Sequence, residues 1–104
     1  MSEIALLRAT FADRAEAERI GRAVIEDGLA ACVTIEAVRS LFRWQGELCA
    51  DDEAAALFKT RVTLAERLAE RIATLHSYDL AAIEWWPATA SAAVAEWVDS
   101  ATRG

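Results

Sequence analysis

Residues 29–60, LAACVTIEAVRSLFRW-QG-ELCADDEAAALFKT, decide the fold. The first arm, Leu29 to Trp44, is β-branched and aromatic. It alternates in its second half, with Val38, Ser40 and Phe42 set against Arg39, Leu41 and Arg43. Gln45-Gly46 is a two-residue turn signal. Glu47 to Thr60 reads as the return strand, weak at its acidic start and stronger from Ala54 onward. Arms of about 14 residues are more than twice the usual strand length. A chain of 104 residues does not cover both arms, so an overhanging hairpin predicts a partner chain.

Working outward, Glu3 to Thr10 (EIALLRAT) reads as a short apolar strand. Asp13-Arg14-Ala15-Glu16 has the form of a helix start, an N-cap aspartate with a glutamate three residues on. Ala17, Ile20, Ala23 and Val24 then share one face until Gly28 closes the helix. Beyond the hairpin, Thr63-Leu64-Ala65-Glu66 reads as a capping box, and Leu64, Leu68, Ile72 and Leu75 form an apolar stripe ending at His76. Leu80 to Trp86 predicts a fourth strand stopped by Pro87, the only proline. A last helix, Ser91 to Ala101, puts Val94, Trp97 and Val98 on one face. The order strand, helix, long strand, long strand, helix, strand is the βαββαβ of a ferredoxin-like α+β sandwich: an antiparallel sheet with helices on one face, plus an appended C-terminal helix. One domain accounts for residues 1–104.

Composition excludes several classes. Eleven basic residues face 17 carboxylates, for a formal net charge of −6, so neither nucleic acid nor an anionic membrane is an expected partner. No apolar run approaches the ~20 residues that span a bilayer, and Met1-Ser2-Glu3 lacks a basic signal-peptide region, so a soluble cytoplasmic protein is the expectation. The glycines fit no phosphate-cradling motif. Cys32 and Cys49 fit neither a structural zinc site nor a disulfide scaffold.

The side chains that carry chemistry are few. Cys32, between Ala31 and Val33, reads as a buried strand thiol, and Cys49 as a surface thiol near the turn. His76 ends a helix, where an imidazole complements the C-terminal dipole; with Tyr78 and Asp79 it also makes a compact polar group able to line a cleft or offer donors to a metal. Lys59, the only lysine, is either an ordinary strand-edge residue or an ammonium required at its position. Asp51, Asp52 and Glu53 alternate faces along a strand and read as a solvated acidic arm. Adjacent Trp85 and Trp86 point to opposite sheet faces, one toward the helices and one toward something outside the protomer. No second partner stands at a telling spacing from Lys59 or His76, so catalysis is not expected.

Four segments in order resemble the CutA family of divalent-cation tolerance proteins. Gly28-Leu29-Ala30-Ala31-Cys32-Val33-Thr34-Ile35 is similar to the family's "LAACVNI" segment, and Ser40-Leu41-Phe42-Arg43-Trp44-Gln45-Gly46 to its "SxYxWxG" hairpin. Leu57-Phe58-Lys59-Thr60 is similar to "xxKT", and His76-Ser77-Tyr78-Asp79 to "HPYE"; Trp97 stands at the tryptophan of the closing "YLxWI". The resemblance implies a homotrimer built from long hairpins. It also implies binding of a divalent cation, copper ahead of zinc and not required for folding, in metal-ion tolerance or response. By residue it implies His76, Cys32 and Asp79 as metal-site candidates and Lys59, Tyr78 and Trp44 as lining of an inter-subunit cleft. The alternative is a trimeric PII-like small-molecule sensor or signalling scaffold using that cleft. Departures from the family pattern are Ser77 for proline, Asp79 for glutamate, Ala81-Ala82 for Pro-Glu, Phe42 for tyrosine, and Ala9 and Leu75 where some members carry a cysteine and a second histidine as ligands.

Overall fold

The structure, a computed structural model, describes residues 2–103. Its elements are β1 (Ser2–Phe11), α1 (Arg14–Glu26), β2 (Cys32–Trp44), β3 (Glu47–Thr60), a 3-10 turn (Val62–Leu64), α2 (Ala65–Leu75), β4 (Ile83–Ala90) and α3 (Ala92–Ala101). All strand pairs are antiparallel, in the order β2-β3-β1-β4. This is the ferredoxin-like α+β arrangement expected from the element order.

Alternation divides the sheet into two faces. Leu7, Ala9 and Phe11 of β1 pair in register with Phe58, Ala56 and Ala54 of β3, and all six are buried. Ile20 and Val24 of α1 and Leu68 and Ile72 of α2 close over them. The opposite face carries Leu6, Arg8, Leu57, Lys59, Thr34 and Cys32. Trp85 and Trp86 divide as expected: Trp85 pairs with Leu7 on the helix side, and Trp86 with Leu6 on the open side.

Local chemistry sets the ends of α1. Asp13 accepts a hydrogen bond from the Glu16 N–H at 2.9 Å. At the other end, Gly28 (φ 75°) donates to Ile25 O and Leu29 donates to Val24 O, the paired bonds of a Schellman motif. The hairpin turn places both Gln45 (φ 50°) and Gly46 (φ 82°) in the left-handed region, which matches the twist of the flanking strands.

Three expectations are corrected. Thr63 does not cap α2: it lies inside the 3-10 turn, and α2 starts after Leu64 with no side-chain cap bond. The fourth strand begins at Ile83, not Leu80, and runs through Pro87, which pairs with Ala5. β4 is an edge strand, where a missing N–H can face the open side of the sheet rather than the ladder. Finally, of the three residues assigned to one face of α3, Val98 is buried while Val94 and Trp97 stay exposed. That helix docks against β1 and β3 at one end of the sheet. Arg61 holds it there, donating to Thr102 Oγ1, Asp99 O and Thr102 O at 2.8–2.9 Å.

The hairpin overhangs. β1 reaches β3 only from Ala54 to Thr60, so Glu47–Glu53 pairs with Val38–Trp44 alone. At about 3.3 Å per residue this arm projects by roughly 23 Å, and the molecule measures 44 × 24 × 21 Å. Leu41 and Leu48 on the arm are 72% and 75% exposed.

Candidate functional site

The site is built where α2 ends. His76 leaves the helix with extended backbone, its N–H still bonded to Ile72 O. Its ring stacks on Phe11 at a centroid distance of 4.8 Å and 14°, and meets Tyr78 on the other side at 4.8 Å and 48°. The ring does not bond the helix carbonyls. Nε2 lies 2.7 Å from Thr10 O, and Nδ1 lies 3.1 Å from the Tyr78 backbone N. A carbonyl only accepts and a backbone N–H only donates, so Nε2 carries the proton and Nδ1 the lone pair. Both ring nitrogens are thereby engaged.

Two carboxylates hold the residues that follow the ring. Glu16, buried in the first turn of α1, accepts from Ala12 N at 3.1 Å and from Ser77 N at 2.9 Å, tying the α2–β4 loop to the end of β1. Burial opposes ionisation of Glu16, but the hydrogen bonds from Ser77 and Ala12 outweigh it and hold the carboxyl below its ordinary range. Glu53, at the base of the overhanging arm, accepts from Tyr78 Oη at 2.8 Å. Burial, the bond to Glu53 and the nearby carboxylates of Glu53, Asp51 and Glu16 push the Tyr78 phenol up to about 12.

The other expected residues lie apart. Cys32 and Lys59 are register partners on the open face, with Leu6 on Lys59's other side. His76 sits at Thr10, four residues along β1 and about 13 Å away at strand spacing, and it stacks on the helix-side Phe11. One protomer therefore does not bring Cys32 and His76 together. Asp79 is exposed in the loop, and Trp44 is at the hairpin tip. Among the described residues, no group of three His, Cys, Asp or Glu side chains is placed to hold a metal ion. Residues 76 and 78 do form one contact unit, as their spacing suggested. Glu53 and Thr10 were not singled out as partners, because no sequence rule joins residues 25 and 66 positions away. Glu16 was legible only as a capping residue.

A second feature lies on the open face, where a groove of about 530 Å³ is lined by Arg8, Thr34, Glu36, Leu57 and Trp86, among others.

Residues 5–101 match the family model described as CutA1 divalent ion tolerance protein. The divalent-cation tolerance protein CutA of Pyrococcus horikoshii is 39% identical over 74 residues, covering 71% of this chain and 72% of that protein. The crystal structure of divalent ion tolerance protein CutA1 from Ehrlichia chaffeensis has a TM-score of 0.92 at 30% identity, covering 99% of this chain and 98% of its own. The structure of the periplasmic divalent cation tolerance protein CutA from Archaeoglobus fulgidus also gives 0.92, at 29% identity, covering 98% of this chain and 100% of its own.

Proposed function

Because the chain belongs to the CutA1 divalent ion tolerance family, we propose that it is a homotrimeric divalent-cation binding protein acting in metal-ion tolerance or response, taking copper ahead of zinc. The match over residues 5–101 carries this reading. The overhanging arm with exposed Leu41 and Leu48 supports the assembly, since an isolated two-stranded arm gains stability when another surface covers it.

His76 is the imidazole ligand in this proposal, with Asp79 from the same loop. Cys32, on the opposite face of its own sheet, joins them only from a neighbouring copy. Lys59, Tyr78 and Trp44 line the cleft between copies. We assign no catalytic activity; the family is named for ion tolerance and not for a reaction. We propose neither nucleic acid nor membrane as a partner: the acidic charge opposes both, and no described helix is long and apolar enough to cross a bilayer. Two free thiols suit the reducing cytoplasm, the compartment we propose. The test is copper affinity of wild type and His76→Ala, with assembly state followed by sedimentation. Loss of affinity in a folded trimer supports the reading, and unchanged affinity removes His76 from it.

A second reading, a PII-like small-molecule sensor, is favoured by the open-face groove, where Arg8 and Trp86 offer a cation and an aromatic surface. Tryptophan fluorescence that responds to metabolites and not to metals, and is lost in Arg8→Ala, would select it.

A further inference from the structure

The C-terminal α3 is the least embedded of the three helices. Of its ten residues only Val98 is buried. The C-cap Thr102, whose hydroxyl donates to Val98 O at 2.8 Å, is buried with it. Between α3, the start of β1 and the 3-10 turn lies a groove of about 400 Å³, with Ile4, Val62, Ala92 and Ala95 among its walls. The far end of the helix is held by one side chain. The Arg61 guanidinium donates to Thr102 Oγ1 and Asp99 O at 2.8 Å and to Thr102 O at 2.9 Å, and its Nε stands 3.3 Å from the Asp99 carboxylate. A further bond, from the Arg103 N–H to Gly28 O at 2.8 Å, ties the chain beyond the helix. The near end continues from β4, whose Ala90 pairs with Ser2. There Ser91 caps the helix, accepting from Val94 N at 3.3 Å.

We infer that residues 92–103 form a releasable segment, latched by Arg61 and hinged at Ser91, which detaches as a unit while the sheet, α1 and α2 stay folded. A guanidinium that serves three acceptors keeps or loses them together, so the C-terminal end lets go in one step. The groove under the helix limits what is lost with them, since Val98 is the one buried side chain of α3 that must leave. A detached ten-residue helix does not hold its own backbone bonds in water, so release and unwinding are one event. Release uncovers Ile4, which shares the groove with Val98. It leaves the pairing of Ser2 with Ala90 in place, at the end of β1 opposite the one that meets the base of the overhanging arm. The device is therefore independent of His76 and of the arm.

Amide hydrogen exchange of the full chain over a series of urea concentrations tests this, in wild type and in Arg61→Ala. The amides of residues 95–101 are expected to exchange as one group, about 10-fold or more faster than those of β1 and β3. Their rate should be nearly flat with urea, because opening exposes little surface. Arg61→Ala is expected to accelerate that group about 10- to 100-fold, the worth of one hydrogen bond to a charged group. Amides of 95–101 that share the rate and the urea dependence of β1 overturn the inference, since α3 then opens only with the whole fold. The wild-type series decides that point without the variant. Unchanged exchange of the group in Arg61→Ala removes the latch, and the inference with it.

Discussion

Tyr78 donates a 2.8 Å hydrogen bond from its hydroxyl to the Glu53 carboxylate, joining the loop after α2 to the base of the overhanging β2–β3 arm. Tyr78 is the only tyrosine, so the rise in absorbance near 295 nm with pH reports on it alone. Burial and the bond to Glu53 raise its phenol to about 12. A folded value above the unfolded one means that the stability it supplies is fully present below pH 10 and is lost between about pH 10 and 12. Glu53→Gln should move the titration midpoint down toward 10. A midpoint unchanged by that substitution would place the cause elsewhere.

Glu16 works in the opposite pH direction. Its carboxyl is held below the ordinary range because Ser77 and Ala12 hydrogen bonds outweigh burial, so its contribution is present above the ordinary carboxylate pKa and is lost as pH falls through the folded value. Glu16→Gln keeps one acceptor oxygen where the wild type uses two. A destabilisation of about 1–3 kcal/mol is expected at pH 7, shrinking below about pH 4. Urea unfolding at both pH values checks it.

Gly28 tests the C-terminus of α1. Its φ of 75° strains any residue with a Cβ, and an added Cβ would come within 2.9 Å of the Arg103 side chain. Gly28→Ala is expected to cost about 1 kcal/mol or more. Thermal unfolding measures the loss, and an unchanged midpoint would contradict the Schellman reading.

Leu41 and Leu48 test the arm as an assembly surface. Both are exposed in the protomer and touch none of its core. The double change to serine should leave the protomer's fold and circular dichroism intact while weakening self-association, followed by sedimentation velocity. Association unaffected by both changes would free the arm from that role.

Much of the fold was legible because hydrophobic period and turn chemistry agreed. Gln45-Gly46, the alternation of Val38 to Arg43 and the cap at Asp13 each dictate a local geometry that the structure keeps. The misread places were those where tertiary context overrides local rules. Pro87 ends a central strand but not an edge strand, and Thr63 caps a helix only when no 3-10 turn precedes it. Ile83 to Ala90 became a strand because β1 offers it a partner along its whole length. The site was legible in part: His76 and Tyr78 are neighbours in sequence and in space. Their commitments to Thr10 and Glu53 follow from chain crossings that no spacing rule encodes.

Native mass spectrometry of the metal-stripped protein, with and without one equivalent of copper, tests the central claim most directly. The account predicts a trimer that takes up one copper per protomer. A monomer, or a trimer whose mass does not change with copper, would contradict it.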